Sequence, residues 1–136
     1  MLGKAHQFLT FTTPPNLQAA VAYGLGKADD YFTGMRADLQ RSRDRLANGL
    51  TSIGFPVLPA QGTYFLNVDL KPLGLNETDE AFCKRLVVEH KVAAIPVSSL
   101  YEDDPVTSVV RFCFAKKDAT IDGALERLSK VVSGGR

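Results

Sequence analysis

The chain has 136 residues, of which 45% are hydrophobic and 23% are charged, and its net charge is +1. This length and composition indicate one globular domain with its own core rather than a disordered segment. The balance of 16 basic and 15 acidic residues argues against a nucleic-acid-binding protein, which carries a basic excess on one face. The apolar runs are far shorter than the roughly 20 residues of a membrane span, and the N-terminus has no signal-peptide pattern. We therefore expect a cytoplasmic, soluble protein that binds neither membranes nor nucleic acid.

The cysteine and histidine content predicts neither a disulfide framework nor a metal site. Cys83 and Cys113 lie in apolar segments without a Cys-x-x-Cys spacing, so we expect two free, buried thiols in a reducing compartment. His6 and His90 are too few and too isolated to suggest metal ligands.

The first part of the chain predicts an extended arm followed by two helices. Residues 6–13 are polar and aromatic, and we expect them to be extended. A proline pair then allows a helix over 16–25 to begin. The strongest helical pattern covers 29–53, where apolar residues recur at spacings of three and four. These apolar positions are Phe32, Met35, Leu39, Leu46, Leu50 and Ile53. Gly54 is expected to stop this helix, which is long for a small domain and suggests a connector.

Beyond residue 54 the pattern changes to that of strands and shorter helices. The predicted strands are 55–58, 63–68, 92–95 and 109–115. The predicted helices are 78–90, which buries Phe82, Leu86 and Val87, and a final helix that begins at Asp118 or Thr120 and ends at Gly134 and Gly135. This order of elements predicts an α+β fold in which helices cover a mostly antiparallel sheet, preceded by the long connecting helix.

One arginine lies inside an otherwise apolar predicted strand. Arg111 is flanked by Val-Val on one side and Phe-Cys-Phe on the other. Because removing an unpaired guanidinium from water costs several kcal/mol, we expect an anionic partner. One explanation is a structural ion pair, and its acidic candidates are Glu102, Asp103, Asp104 and the helix carboxylates. The other is a receptor for a ligand carboxylate, which the planar fork of arginine can bind at two points.

Three further segments stand out. Residues 61–65, Gln-Gly-Thr-Tyr-Phe, form a glycine turn that enters an aromatic strand. Residues 94–101 end a strand at proline and open into a loop rich in hydroxyl groups, and such loops often line sites. The N-terminal arm carries a His-Gln pair and Phe11. Taken singly, each has an ordinary structural explanation: a hairpin corner, a surface loop and an arm that packs on a neighbour.

Together and in this order, these segments resemble the C-terminal part of class I pyridoxal-phosphate-dependent aminotransferases, in the branch of kynurenine, glutamine and methionine aminotransferases. The matching segments are His6-Gln7, Phe11, 61–65, 94–98, 111–116 and Thr120-Ile121. The resemblance covers nearly all of this chain but only about the last third of a typical family member. It implies that residues 1–136 are the small C-terminal domain of a fold type I aminotransferase with part of the interdomain segment, the large cofactor-binding domain being absent.

The resemblance also implies site residues. In the family, the arginine matching Arg111 binds the α-carboxylate of the amino-acid or 2-oxo-acid substrate through a two-pronged salt bridge, and the aromatic residue matching Phe65 lies near the substrate pocket. The arm residues matching Phe11 and Thr12 reach the neighbouring subunit's site in the family's dimer. The match at Thr12 is weak, because some relatives carry histidine there. We therefore expect these four residues to bind substrate, and we expect a homo-oligomer with a role in amino-acid metabolism.

The residues that would perform the family's chemistry are missing from this chain. The family's lysine forms a Schiff base with the cofactor and shuttles a proton. It lies in a Ser-Lys stretch followed by Thr-Gly, upstream of the His-Gln motif, and no lysine here has that context. The groups that hold the cofactor's ring and phosphate also belong upstream. We therefore expect no catalytic, cofactor-binding or metal-binding residue here. The expected parent uses pyridoxal phosphate to move an amino group between an amino acid and a 2-oxo acid, and this chain alone is expected to be inactive.

Two other classes of protein are compatible with the sequence. A non-enzymatic α/β module could bind an amino acid or another carboxylate through Arg111 alone. The other is a purely structural oligomerisation domain. A Ser-Lys and Thr-Gly stretch in frame upstream of Met1 would decide for the aminotransferase.

Overall fold

The structure is a computed structural model that describes residues 2–133 of the chain. Over these residues it contains five α-helices and three β-strands. Their bounds are α1 Leu2–Thr10, α2 Pro15–Leu25, α3 Asp29–Ser52, β1 Phe65–Asp69, α4 Asp79–Arg85, β2 Ile95–Pro96, β3 Val109–Cys113 and α5 Asp118–Ser133. Shorter helical segments are the 3₁₀ turns Lys71–Leu73 and Val97–Leu100 and the π-helix Leu86–His90. Gly134 and Gly135, expected to end the last helix, lie outside the described residues.

The chain separates into two compact units, Met1–Arg36 and Ala37–Arg136. The first contains α1, α2 and the first turns of α3. The second contains the rest of α3, the sheet, α4 and α5.

In the first unit, the expected extended arm is instead largely the helix α1, so the prediction for residues 6–13 is wrong over most of its length. Local bonds explain the difference: the Phe11 amide donates to the Gln7 carbonyl at 3.0 Å, and the Thr10 hydroxyl donates to the His6 carbonyl at 2.9 Å. The aromatic and hydroxyl residues that favour strands are outweighed by this backbone ladder, since no proline interrupts it. Helix α2 is confirmed, with Pro15 as its first residue.

The second unit holds the hydrophobic core, where α3, α4 and α5 pack on one face of the sheet. Leu46 and Leu50 of α3 are one turn apart and both buried, as the spacing predicts. The other buried apolar residues are Phe55, Leu66, Val68, Leu70, Phe82, Cys83, Leu86, Val92, Val110, Phe112, Phe114, Ile121, Leu128 and Val131. Val87, expected to be buried, is 49% exposed because the helix widens into the π-helix at residue 86 and turns that side chain outward.

The sheet is antiparallel with strand order β1-β3-β2, which confirms the expected α+β architecture. Its central strand β3 pairs Arg111 with Asn67 of β1 and with Ile95 of β2. The strand expected at 55–58 is reduced to one bridge between Val57 and Val68. Prolines at 56 and 59 explain this, because each lacks the N–H that a continuous ladder requires.

Helix α5 is held against α3 by close packing and by two surface ion pairs. A Cβ atom on Gly49 would lie only 2.2 Å from Leu125 Cδ1, so the glycine permits the approach of the two helices. Arg41 Nη1 donates to Asp118 at 2.9 Å and Arg45 Nη2 donates to Asp122 at 2.7 Å. The bond from Arg45 holds the pKa of Asp122 below its usual range. These exposed pairs orient α5 more than they stabilise it.

The described residues contain no helix that is both long and apolar enough to cross a membrane. Over the same residues, no group of three or more His, Cys, Asp or Glu side chains converges as a metal site would. Both cysteines are free; Cys83 is buried and Cys113 is partly exposed.

The position of the core predicts that truncating two different leucines lowers the free energy of unfolding by very different amounts. Leu50 is 0% exposed and Leu100 is 59% exposed, so Leu50→Ala removes fully buried contacts and leaves a cavity. We expect Leu50→Ala to lower the free energy of unfolding by about 2–5 kcal/mol, and Leu100→Ala to lower it by less than about 0.5 kcal/mol. Urea unfolding of the two variants measures both values, and equal losses would contradict the placement of the core.

Candidate carboxylate-binding site

Arg111 lies on the open face of the sheet, in its central strand. Side chains alternate along a strand, so the neighbours Val110 and Phe112, which are 0% and 4% exposed, point into the core. Arg111 therefore points to the other face, where it is partly exposed. An arginine in this apolar strand is consistent with the fold because its head lies outside the core.

The Arg111 guanidinium lies over an aromatic ring and has no anionic partner among residues 2–133. Its Cζ lies 4.1 Å from the centroid of the Phe65 ring. Its Nε atom is buried and has no hydrogen-bond partner within residues 2–133. No carboxylate of the described chain pairs with it; the acidic candidates Glu102, Asp103 and Asp104 are all exposed. The structural ion pair that the sequence allowed is therefore not formed within the described residues.

This arrangement is energetically unusual. A buried N–H group without a partner costs about 1–3 kcal/mol, and more when it carries charge. The cation–π contact with Phe65 returns about 1–2 kcal/mol and fixes the plane of the fork. The remaining N–H donors have no protein partner in the part of the chain that the structure describes, and a carboxylate supplied from elsewhere would satisfy them at two points.

Neighbouring side chains on the same face shape the approach to Arg111. Asn67 lies directly opposite it on β1 and Ile95 directly opposite on β2, and both are exposed. Cys113 pairs with Phe65 in the next row. An anion at Arg111 would therefore lie between an amide on one side and an apolar side chain on the other.

A buried carboxylate that sequence reasoning missed holds the loop beside this face. Asp79 is 0% exposed, and its two oxygens accept from the Ser98 amide and the Ser98 hydroxyl, each at 2.8 Å. It also accepts from the Glu80 amide at 3.0 Å. Ser98 follows β2 by two residues, so Asp79 anchors the end of the strand that pairs with Arg111. The available signal was the first-turn pattern Thr78-Asp79-Glu80, which reads as helix capping.

Cys83 lies one turn beyond Asp79 on α4 and is kept as a thiol. Burial, and secondarily the charge of Asp79, raises the pKa of Cys83 to about 11. Because the thiolate is the reactive form, Cys83 acts as a core residue rather than a nucleophile.

The other two expected site residues lie in the first unit, in the turn between α1 and α2. Phe11 is 84% exposed and has a φ of 39°, a left-handed conformation that is unusual for an aromatic residue. Gln18 fixes the turn by donating to the Thr13 carbonyl at 2.6 Å and to the Thr12 hydroxyl at 3.5 Å. The turn therefore presents an ordered apolar side chain to the outside. The structure brings Phe65 together with Arg111 and describes Phe11 and Thr12 separately, within their own unit.

Comparison with known proteins identifies the family. The family model described as aminotransferase class I and II matches residues 1–128. The chain belongs to the class I and II aminotransferase family. Two curated members illustrate the similarity. The chain is 41% identical over 134 residues to a probable N-succinyldiaminopimelate aminotransferase of Mycobacterium tuberculosis, and 38% identical over 130 residues to the methionine aminotransferase of Escherichia coli.

A solved member of the aminotransferase family has the same fold over nearly the whole chain. The N-succinyldiaminopimelate aminotransferase structure from Mycobacterium tuberculosis matches with a TM-score of 0.82 and 42% sequence identity, and the match covers 93% of this chain. It covers only 33% of that structure. The two curated relatives are matched over 92% and 96% of this chain, and over 34% and 33% of their own lengths. The chain therefore spans about a third of the aminotransferases it resembles.

We expect removal of the Asp79 side chain to lower stability more than removal of its exposed neighbour Glu80. In Asp79→Ala, the amide and hydroxyl of Ser98 lose their acceptor, and each unsatisfied group costs about 1–3 kcal/mol. Glu80→Ala removes an exposed contact with Lys84 and a negative charge from the first turn of α4, together worth about 0.6–1.5 kcal/mol. We expect denaturant unfolding to show a loss of about 2 kcal/mol or more for Asp79→Ala, with faster hydrogen exchange at the Ser98 amide. Similar losses in the two variants would contradict the anchoring role.

Proposed function

We propose that residues 1–136 form the small C-terminal domain, with part of the interdomain segment, of a pyridoxal-phosphate-dependent aminotransferase. In this proposal Arg111 binds the α-carboxylate of the amino-acid or 2-oxo-acid substrate. The observation that carries it is the Arg111 fork, stacked on Phe65 and unpaired within the described residues. Membership of the aminotransferase family supplies a reaction whose substrates all carry a carboxylate.

The four proposed substrate-binding residues have different roles. Arg111 supplies the charge, and Phe65 holds its guanidinium plane. Phe11 and Thr12 act in the site of a second copy of the chain, so the working protein is a homo-oligomer. The exposure of Phe11 and the fixed turn that carries it support this role, because an exposed aromatic side chain in an ordered turn is suited to contact a neighbour.

The residues of this chain do not fit pyridoxal phosphate by themselves. Covalent attachment needs a lysine amine in a site that excludes water, and among the lysines all but Lys27 are exposed, while Lys27 donates to Tyr23 at 2.7 Å on the surface of the first unit. The cofactor and its chemistry therefore belong to a larger protein that contains this chain. The chain alone is proposed to bind carboxylate without transferring an amino group.

The proposed substrate class is amino acids and 2-oxo acids in general. Arg111 recognises a group that every member of this class carries, so it sets no side-chain preference.

We place the protein in the cytoplasm, as the free thiols of Cys83 and Cys113 are typical of a reducing compartment.

Replacing Arg111 by lysine in the full-length aminotransferase tests the carboxylate role. A lysine keeps the charge but cannot form the two-pronged bond or the same stacking contact. We expect kcat/KM for an amino-acid substrate to fall by about 30-fold to several thousand-fold, corresponding to about 2–5 kcal/mol. Arg41→Lys is the matched control, because Arg41 forms exposed pairs with Asp38 and Asp118 and lies outside the proposed site, and it should change kcat/KM by less than about twofold.

The same two variants are then assayed with an amine that lacks the carboxylate. Arg111→Lys should lower kcat/KM for the amino acid far more than for this amine. An equal loss for both substrates would assign Arg111 to folding, and an unchanged kcat/KM for the amino acid would remove it from the site.

The isolated chain is expected not to bind pyridoxal phosphate stoichiometrically, because seven of its eight lysines are exposed, Lys27 is held by Tyr23, and the sequence has no glycine-rich phosphate-binding loop. Addition of the cofactor should give no saturable absorbance band of a bound imine, and borohydride reduction followed by peptide mapping should give no single modified lysine. Stoichiometric labelling of one lysine would contradict the assignment of the cofactor site to the missing region.

A further inference from the structure

The Ala37–Arg136 unit also contains a cleft that neither Arg111 nor Phe65 lines. It is a cleft of about 220 Å³ between the end of β3, α5 and the segment after the π-helix. Its floor is formed by core residues, namely Leu46, Val92, Phe112, Ile121 and Leu128. These floor residues are at most 6% exposed, so a ligand would contact the more exposed Ala93, Cys113 and Ala124 that also line the cleft.

Three cations surround this apolar floor without an acidic counterpart. Lys91, Lys116 and Arg127 line the cleft, and none of its lining residues is Asp or Glu. Within residues 2–133 none of the three forms an ion pair with a carboxylate, whereas Arg41 and Arg45 on the neighbouring surface both do. An excess of positive charge at the mouth of an apolar cleft favours an organic anion.

Hydrogen bonds hold part of the rim of the cleft, formed by Lys91 and Arg127, in place. Arg127 Nη1 donates to the Lys91 carbonyl at 3.3 Å, and Lys91 Nζ donates to the Val88 carbonyl at 2.7 Å. Lys91 itself has a left-handed φ of 56°, which turns the chain at the end of the π-helix and brings residues 91–93 to the cleft. These bonds fix the backbone at the rim, and because they end on carbonyl groups they leave the positive charges of Lys91 and Arg127 without a counter-charge among the described residues.

The size of the cleft limits the ligand. An apolar cavity of about 150 Å³ can hold one benzene molecule, so about 220 Å³ has room for one ring and a small polar group. We propose that this cleft binds a compact organic carboxylate with an apolar body, such as an aromatic acid, with its ring against Ala93 and Ala124 and its carboxylate at Lys116 and Arg127. This proposal does not rest on the proposed transamination, since neither Arg111 nor Phe65 lines the cleft, and of the residues named on the Arg111 face of the sheet the cleft includes Cys113 alone.

Titration of the chain with benzoate, followed through its backbone amide resonances, tests the proposal. The experiment is performed in the Arg111→Gln background, so that a carboxylate bound at Arg111 cannot produce the signal. We expect saturable shifts that cluster at residues 91–93 and 120–124. Benzamide, which has the same shape without the charge, should bind about tenfold or more weakly, because it loses the charge-assisted bonds. Inorganic phosphate at equal concentration should not displace benzoate, because it lacks the apolar body.

Two variants that each remove one positive charge distinguish binding in the cleft from a general effect of surface charge. Lys116→Gln should weaken benzoate binding by about tenfold. Lys130→Gln is the matched control, because Lys130 is exposed on α5 and does not line the cleft, and it should change binding by less than about twofold. Both side chains are on the surface, and unchanged melting temperatures verify that each variant folds.

Several results would overturn the proposal. No saturable shift, equal affinity for benzoate and benzamide, displacement by phosphate, or equal losses in the Lys116 and Lys130 variants would each show that the cleft is not an aromatic-acid site. Because Arg111 is replaced by glutamine in this titration, a negative result would not bear on the proposed aminotransferase function. Likewise, a failure of the aminotransferase proposal would not change the result of the titration.

Discussion

The stacking of Arg111 on Phe65 is the interaction on which the proposed site depends. The Arg111 side chain is partly exposed on the open face of the sheet, but its Nε is buried, so a partner for that N–H would stabilise it. Here the described chain supplies an aromatic face at 4.1 Å and no carboxylate, and the Nε atom remains without a partner. The chain alone therefore holds an oriented but incompletely satisfied cation. A substrate carboxylate would complete the set of contacts, which explains why so costly a residue is suited to this position.

The rest of the second unit serves to hold that cation in place. One face of the three-stranded sheet is packed on the core, so Val110 and Phe112 fix the strand and direct Arg111 outward. Strand β2 is only two residues long and could not hold its register by pairing alone. Asp79 compensates by anchoring Ser98, just beyond that strand. The strand that pairs with Arg111 is thus held in place by a buried carboxylate on α4.

The sequence predicted the parts of this architecture that depend on periodicity and on residue chemistry. The long helix, the core positions Leu46 and Leu50 and the unusual environment of Arg111 follow from spacing and from the cost of burying charge. Helix α1 was missed because its aromatic and hydroxyl residues favour strands locally, and the Asp79–Ser98 anchor was missed because its two residues are 19 positions apart. Contacts of that separation depend on tertiary packing, which a local pattern does not contain.

The most direct test observes the Arg111 side chain itself in the 136-residue chain. The N–H resonance of its Nε is followed while a simple 2-oxo acid, pyruvate, is added, with the corresponding amide as the uncharged control. We expect a saturable shift of the Arg111 resonance with pyruvate, because the carboxylate engages the unpaired fork, and none with the amide. A resonance that stays unchanged, or that moves equally with both compounds, would contradict the central claim that Arg111 is a carboxylate receptor.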